Sequence, residues 1–133
     1  FYDTYTALKD NTQSTGSASR ASFKGVPSSG SSNFFIVPGK KTKDEIIKSV
    51  NNGVYVLEVM GMHMADPISG DFSVGIAGIR IEKGALTHPI GGITLAGNMR
   101  QFLANISEIG NDIIFYGGSG APTICIEGLM IGG

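Results

Sequence analysis

Tryptophan is missing from this chain, and cysteine occurs once, at Cys125. A lone cysteine excludes an intramolecular disulfide framework and suits a reducing compartment such as the cytoplasm. Histidine is almost as scarce. His63 and His88 are the only two, and they fit no HExxH, CxxC or His-x-His pattern. Each reads as a structural or exposed side chain rather than a ligand. Charge is sparse and balanced, with 10 basic and 11 acidic residues and a formal net charge of −1. That balance excludes the broad basic field of a nucleic-acid binder and the polybasic stripe of a membrane-surface protein. No apolar run approaches the roughly 20 residues of a spanning helix. No secretory leader is visible either.

What the chain has in quantity is glycine: 20 of 133 residues, about twice the average usage of roughly 7%. The glycines follow no collagen period and are interleaved with Ile, Val and Phe, so they read as turn and bulge residues. A hydrophobic fraction of 41% argues against intrinsic disorder. The length suits a single domain, residues 1–133, that buries roughly two-thirds of its unfolded surface. The opening at Phe1, within a polar segment, leads us to expect a fragment of a longer protein.

Residues 1–33 are rich in Ser, Thr, Asn and Gly and read as an extended polar segment, with a β-rich core over 34–133. That segment is either a surface loop or a strand added to a sheet edge. Phe34–Val37 predicts a strand stopped by Pro38-Gly39. Thr42-Lys43-Asp44-Glu45 is a capping-box pattern. Ile46, Ile47 and Val50 give the helix after it an apolar face, and Gly53 is its expected end. Val54–Met60 predicts a strand.

From Asp71 to Ile81, Phe72, Val74 and Ile76 share one period-2 phase while Ile79 and Ile81 share the other. This change requires a bulge, for which Gly75 or Gly78 is the expected host. Lys83-Gly84 predicts a hairpin turn into a strand over Ala85–His88 that Pro89 ends, with a separate extended piece at Ile93–Leu95. Met99, Phe102, Leu103 and Ile106 predict a second helix, closed at Gly110-Asn111. Strands are expected over Asp112–Tyr116 and Pro122–Leu129, joined by Gly117–Gly120. The fold class is α+β: a mostly antiparallel twisted sheet with two short helices.

Residues that carry chemistry are few. Gly117–Gly120 follows a strand but has neither the lysine of a phosphate loop nor GxGxxG spacing, so it reads as a β–β connection. Asp66-Pro67-Ile68-Ser69-Gly70-Asp71 holds two carboxylates but lacks EF-hand spacing, and reads as a turn. Cys125 alternates with Ile124 and Ile126 on a strand, where it reads as a small core or interface residue. No GxSxG elbow occurs. No catalytic, cofactor-binding or metal-ligating residue is assigned, and no cofactor is implied.

The order of several motifs carries a family resemblance. YDTYTA, STGSASR and SNFFIVPGKKTKDEII resemble the region where the C-terminal domain of the TldD/PmbA family begins. DPISGDFSVGIAGIRIEKGALTHPIGGITLAGN resembles that family's central glycine-rich block, and IGNDIIF with APTICIEGLMIGG its closing strands. The resemblance implies a bacterial-type family described as modulators of DNA gyrase and linked to peptide-antibiotic maturation and antitoxin degradation. It implies a zinc metallopeptidase subunit with HExxxH and a late cysteine, and a PmbA (TldE) partner that lacks those ligands.

This chain contains no HExxxH, which in the family lies upstream of the part represented here. Its loop YGGSGAPT is without the Cys-Gly-Lys insert, and Cys125 does not match the late cysteine. The resemblance is therefore to the C-terminal domain of a PmbA-type protein. It implies a non-catalytic subunit whose domain serves as framework, dimer interface and peptide-binding sheet edge. The implied assembly is a homodimer, or a heterodimer with a TldD-type subunit. Its location is cytoplasmic, with a peptide substrate and no direct nucleic-acid or membrane contact. The alternatives are a protein-interaction module acting on gyrase and a hydrolase. The hydrolase's catalytic residues would lie upstream of Phe1 or include His63, Asp66 and Asp71.

Overall fold

The computed structural model describes every residue, Phe1–Gly133. The chain divides into two compact units: Phe1–Ile36 with Ile114–Ala121, and Val37–Ile113 with Pro122–Gly133.

The first unit opens with a helix, α1 (Thr4–Lys9), in the segment expected to be loop. The signal that starts it is Asp3, whose carboxylate accepts the Thr6 amide at 2.7 Å and satisfies one of the free N–H groups of the first turn. With six residues and only Ala7 buried, the helix is too short and too exposed to show an apolar period. It also raises the helix count from the expected two to three. β1 (Ala18–Ser19) and β2 (Ser28–Ser29) then form a small antiparallel ladder, and β3 (Phe34–Phe35) follows.

The second unit begins with α2 (Lys43–Ser49). Its capping box is complete. Glu45 Oε2 accepts the Thr42 amide at 2.7 Å, and Thr42 Oγ1 accepts the Glu45 amide at 3.3 Å. Ile46 and Ile47 are the buried face. The helix stops at Ser49, where the Ser49 hydroxyl donates to the Ile46 carbonyl at 2.7 Å and Val50 turns extended. Gly53 therefore does not end it. Gly53 lies inside β4 (Asn52–Met60), drawn into the strand by its β-branched neighbours.

A 3-10 turn (Met62–Met64) leads to β5 (Asp71–Glu82), which pairs with β6 (Ala85–Asn98). The hairpin between them turns at Lys83 and Gly84, both with positive φ (51° and 76°). This is the two-residue geometry that matches strand twist, as expected. The change of phase in β5 is accommodated differently from the expectation. The surplus residues lie in its partners: Leu57 in β4, and further register shifts in the pairing with β6. Gly78 makes this feasible, because a Cβ there would fall against the Tyr55 carbonyl oxygen at the β4 bulge. Nor does Pro89 end β6. It pairs with Ile79 beside a register shift, and only Thr94–Ala96 of β6 have a second neighbouring strand, so its missing N–H costs no ladder bond on that side.

α3 (Met99–Ala104) is capped by Asn98, whose side chain accepts the Arg100 amide at 3.0 Å. The helix ends at Asn105, before Ile106, and β7 (Ile106–Ile109) occupies the stretch expected to continue it. The helical spacing of Ile106 is outweighed by strand pairing with a segment late in the chain.

β8 (Ile114–Tyr116) and β9 (Ser119–Ala121) return to the first unit as a tight hairpin through Gly117-Gly118. β3 joins β9 in parallel, and the Phe35 and Phe115 rings meet at 5.7 Å. The single strand expected over Pro122–Leu129 is instead β10 (Ile124–Ile126), paired with β7, then a turn at Gly128 (φ 71°) and β11 (Met130–Gly132), paired with β6.

The main sheet runs β11-β6-β5-β4, antiparallel throughout. Phe72, Val74, Ile76 and Leu95 are its buried cluster, with Ile93, Phe102 and Leu129 packed against it. Phe72 and Phe102 meet edge-on at 5.9 Å and 82°. This is the α+β, mostly antiparallel architecture expected from the sequence. No helix is long and apolar enough to cross a membrane.

Candidate functional site

Two features of the second unit stand out, and both are made by backbone and apolar side chains rather than by reactive groups. The first is the outer edge of β4. Its only strand partner is β5. The opposite edge of a nine-residue strand therefore offers unpaired N–H and C=O groups, a ready template for another strand. Leu57 is 63% exposed, and Val59 and Met60 beside it are also exposed. The only charge on the strand is Glu58.

The second feature is an apolar hollow of about 960 Å³. Ile47 of α2, Val54 of β4, Ile76 of β5, Phe102 of α3, Cys125 of β10 and Leu129 all line it. Ser107, Thr123 and Glu127 supply polar atoms to its wall. Around it, Lys41 pairs with Glu108, and Gly39 donates its amide to the Gly110 carbonyl at 2.8 Å.

The residues singled out from the sequence are dispersed. His63 sits exposed in the 3-10 turn, and His88 lies exposed in β6, its Nδ1 3.2 Å from Thr87 Oγ1. Asp66 Oδ1 accepts the Ile68 and Ser69 amides at 2.7 and 3.3 Å. Those bonds to the ionised form hold its carboxyl below the usual carboxylate range. Asp71 instead accepts Asn98 Nδ2 at 2.8 Å. The backbone closes the same segment through Asp66 N to the Asp71 carbonyl at 2.9 Å, and Gly70 takes a φ of 79°. Asp66–Asp71 is thus the turn that its sequence predicts.

Cys125 is half-buried opposite Glu108. No three or more His, Cys, Asp and Glu side chains come together. A catalytic zinc of the kind the family resemblance implies has no matching ligand set among these residues. Sequence reasoning missed the β4 edge and the hollow because both are non-local. The only local sign of the edge is the unbroken apolar run Val54–Val56-Leu57, which lacks clean alternation.

The sequence pattern of the PmbA/TldA metallopeptidase C-terminal domain matches residues 1–133. A metalloprotease TldD homolog of Buchnera aphidicola subsp. Schizaphis graminum is 31% identical over 138 aligned positions, covering 92% of this chain and 28% of that protein. The metalloprotease PmbA of Escherichia coli O157:H7 is 34% identical over 109, covering 82% and 22%. The crystal structure of TldE from Thermococcus kodakarensis matches with a TM-score of 0.83 at 28% identity, covering 98% of this chain and 30% of that one. A Thermotoga maritima crystal structure, described as a candidate modulator of a DNA gyrase, matches with a TM-score of 0.80 at 32% identity, covering 97% and 29%. The chain spans less than a third of the length of each of these relatives.

Proposed function

This chain belongs to the PmbA/TldA metallopeptidase C-terminal domain family, and from that premise we propose that it is the non-catalytic framework domain of a PmbA-type subunit in a cytoplasmic peptide-processing assembly. The domain is one of several in the full protein. Its contribution is a rigid antiparallel scaffold that presents a sheet edge to a partner subunit, a TldD-type chain or a second copy, and to extended peptide. The observation that supports this reading best is the free outer edge of β4, with Leu57, Val59 and Met60 exposed along it. Such an edge persists in a soluble protein when something else pairs with it or covers it. The carboxylates of Asp66 and Asp71 are engaged in holding their own turn, on the Ile68 amide and the Asn98 side chain, which also supports a framework role.

Metal analysis of the purified full-length protein tests the non-catalytic assignment. Substoichiometric zinc together with no peptidase activity is the expected result, and a stoichiometric catalytic zinc overturns it. A second reading is a protein-interaction module acting on gyrase, favoured by the description of the Thermotoga maritima relative. Capture of purified gyrase by the full-length protein but not by a form lacking this domain would favour that reading over the first.

A further inference from the structure

Residues directly opposite one another in an antiparallel pair share a face of the sheet, so the register shows where β4 points. Val56 pairs with Gly78 and Val59 with Ile76. Ile76 is fully buried and lines the hollow, and Val56 and Val59 line it too. The two valines are three positions apart yet share that face because Leu57 is the surplus residue between them. Although they line the hollow, Val56 is 36% and Val59 44% exposed. The hollow therefore opens beside β4, along the edge where the backbone has no strand partner. Glu58, opposite Ala77, faces away from Val59 and into solvent.

We propose that the β4 edge and the hollow together dock an extended peptide segment whose alternate residues are aliphatic and whose intervening residues carry Lys or Arg. This rests on β4 serving as a pairing edge and adds the chemistry of the strand that pairs with it. A strand added to β4 lies about 4.8 Å away and turns its side chains alternately to the two faces. One set enters the hollow past Val56 and Val59. A cavity of roughly 150 Å³ holds a benzene ring, so the hollow, at about 960 Å³, has room for several aliphatic side chains. The other set faces outward beside Glu58. The charges that meet the segment are of one sign. Glu58 on the strand and Glu127 in the hollow wall have no cationic partner, and Glu108, the other charge of the wall, pairs with Lys41. Lys43 lies 5.8 Å over the Tyr55 ring, nearer the start of the strand, so the basic residues belong at the Glu58 end.

Fluorescence anisotropy of the full-length protein with labelled peptides of equal length tests this. One peptide alternates Val with Lys, one alternates Val with Glu, and one carries the Val and Lys of the first in two blocks. The alternating Val/Lys peptide is expected to bind at least about tenfold more tightly than either of the others. Equal affinity for the alternating and block Val/Lys peptides overturns the proposal, because attraction of charge alone then explains binding. Equal affinity for the Val/Lys and Val/Glu peptides also overturns it but leaves β4 as a pairing edge. Binding of none of the three overturns both the proposal and the edge as a peptide site. Glu58→Gln/Glu127→Gln removes two exposed carboxylates. It is expected to reduce the preference for Val/Lys over Val/Glu to about twofold or less, with the circular dichroism unchanged. A full preference in that variant overturns the assignment of the basic residues to these carboxylates.

Discussion

Asp112 and Thr123 hold one another across eleven positions of sequence. Thr123 donates its amide to Asp112 Oδ1 at 3.0 Å and its hydroxyl to Oδ2 at 2.7 Å. The contact fixes the chain as it leaves β7 against the start of β10, and the Gly110 amide donates to the Thr123 carbonyl at 2.7 Å in support. The Thr123 hydroxyl foremost, helped by its amide, holds the Asp112 carboxyl below the usual carboxylate range although burial opposes it.

The pH dependence follows from the sign of that shift. A carboxyl whose pKa is lower folded than unfolded contributes stability that is present above the unfolded value of about 3.9 and lost as pH falls through the folded value. Asp112→Ala is expected to cost about 1 kcal/mol near neutral pH, discounted for solvent screening at a half-exposed site. Urea denaturation of wild type and variant at pH 7 and pH 3 checks this. The gap between them should shrink at the lower pH, and an unchanged gap would exclude the carboxylate as its source.

Gly75 and Gly78 lie in the same strand and should respond oppositely to the same change. A Cβ at Gly75 meets nothing nearer than Met60 Cε at 3.6 Å, an ordinary contact with a flexible side chain. A Cβ at Gly78 falls against the Tyr55 carbonyl oxygen and lies 3.1 Å from Val56 Cα, both backbone. Gly78→Ala should cost about 1–3 kcal/mol through the backbone shift it forces, whereas Gly75→Ala should be close to neutral. Thermal melts of the two variants decide the matter. Equal losses would remove the β4 bulge as the reason for Gly78.

Lys83 occupies a left-handed conformation (φ 51°) that a long side chain rarely adopts. Asparagine tolerates that region, and Asn-Gly is the preferred pair for this turn. Lys83→Asn is therefore expected to raise stability by a few tenths to about 1 kcal/mol. Gly84→Ala should lower it, since the new Cβ would come within 2.6 Å of the Lys48 carbonyl oxygen. A denaturation midpoint that falls in Lys83→Asn would contradict the turn assignment.

If the β4 edge serves assembly, a charge placed on it should separate subunits without unfolding them. Leu57→Lys changes an exposed side chain on that edge, which is how natural edge strands discourage pairing. Light scattering on the full-length protein is expected to show a smaller species for the variant, with the circular dichroism retained. Full assembly in Leu57→Lys would exclude this edge as the interface.

The features legible in the sequence are those whose cause is local. The capping box at Thr42–Glu45, the Lys83-Gly84 turn and the Asp66–Asp71 turn all depend on residues within three or so positions, and all form as read. α1 leaves little trace in the sequence, because its signal is one capping aspartate on six residues. The helix at Met99–Ala104 is shorter than its periodicity predicts, because Ile106 keeps helical spacing yet pairs with Ile126 in β10.

What the amino-acid order determined by itself is the class of fold, its hairpin register at Lys83-Gly84 and the scarcity of reactive groups. The tertiary structure decided which strands became neighbours. It put the surplus residues in β4 and β6 rather than in β5, kept Pro89 inside β6, and left the far side of β4 without a partner. The reason is physical. Caps and turns are set by dihedral preferences and hydrogen bonds a few residues apart, whereas strand pairing is settled by which distant segments bury their apolar faces together, a quantity that no short window of sequence contains.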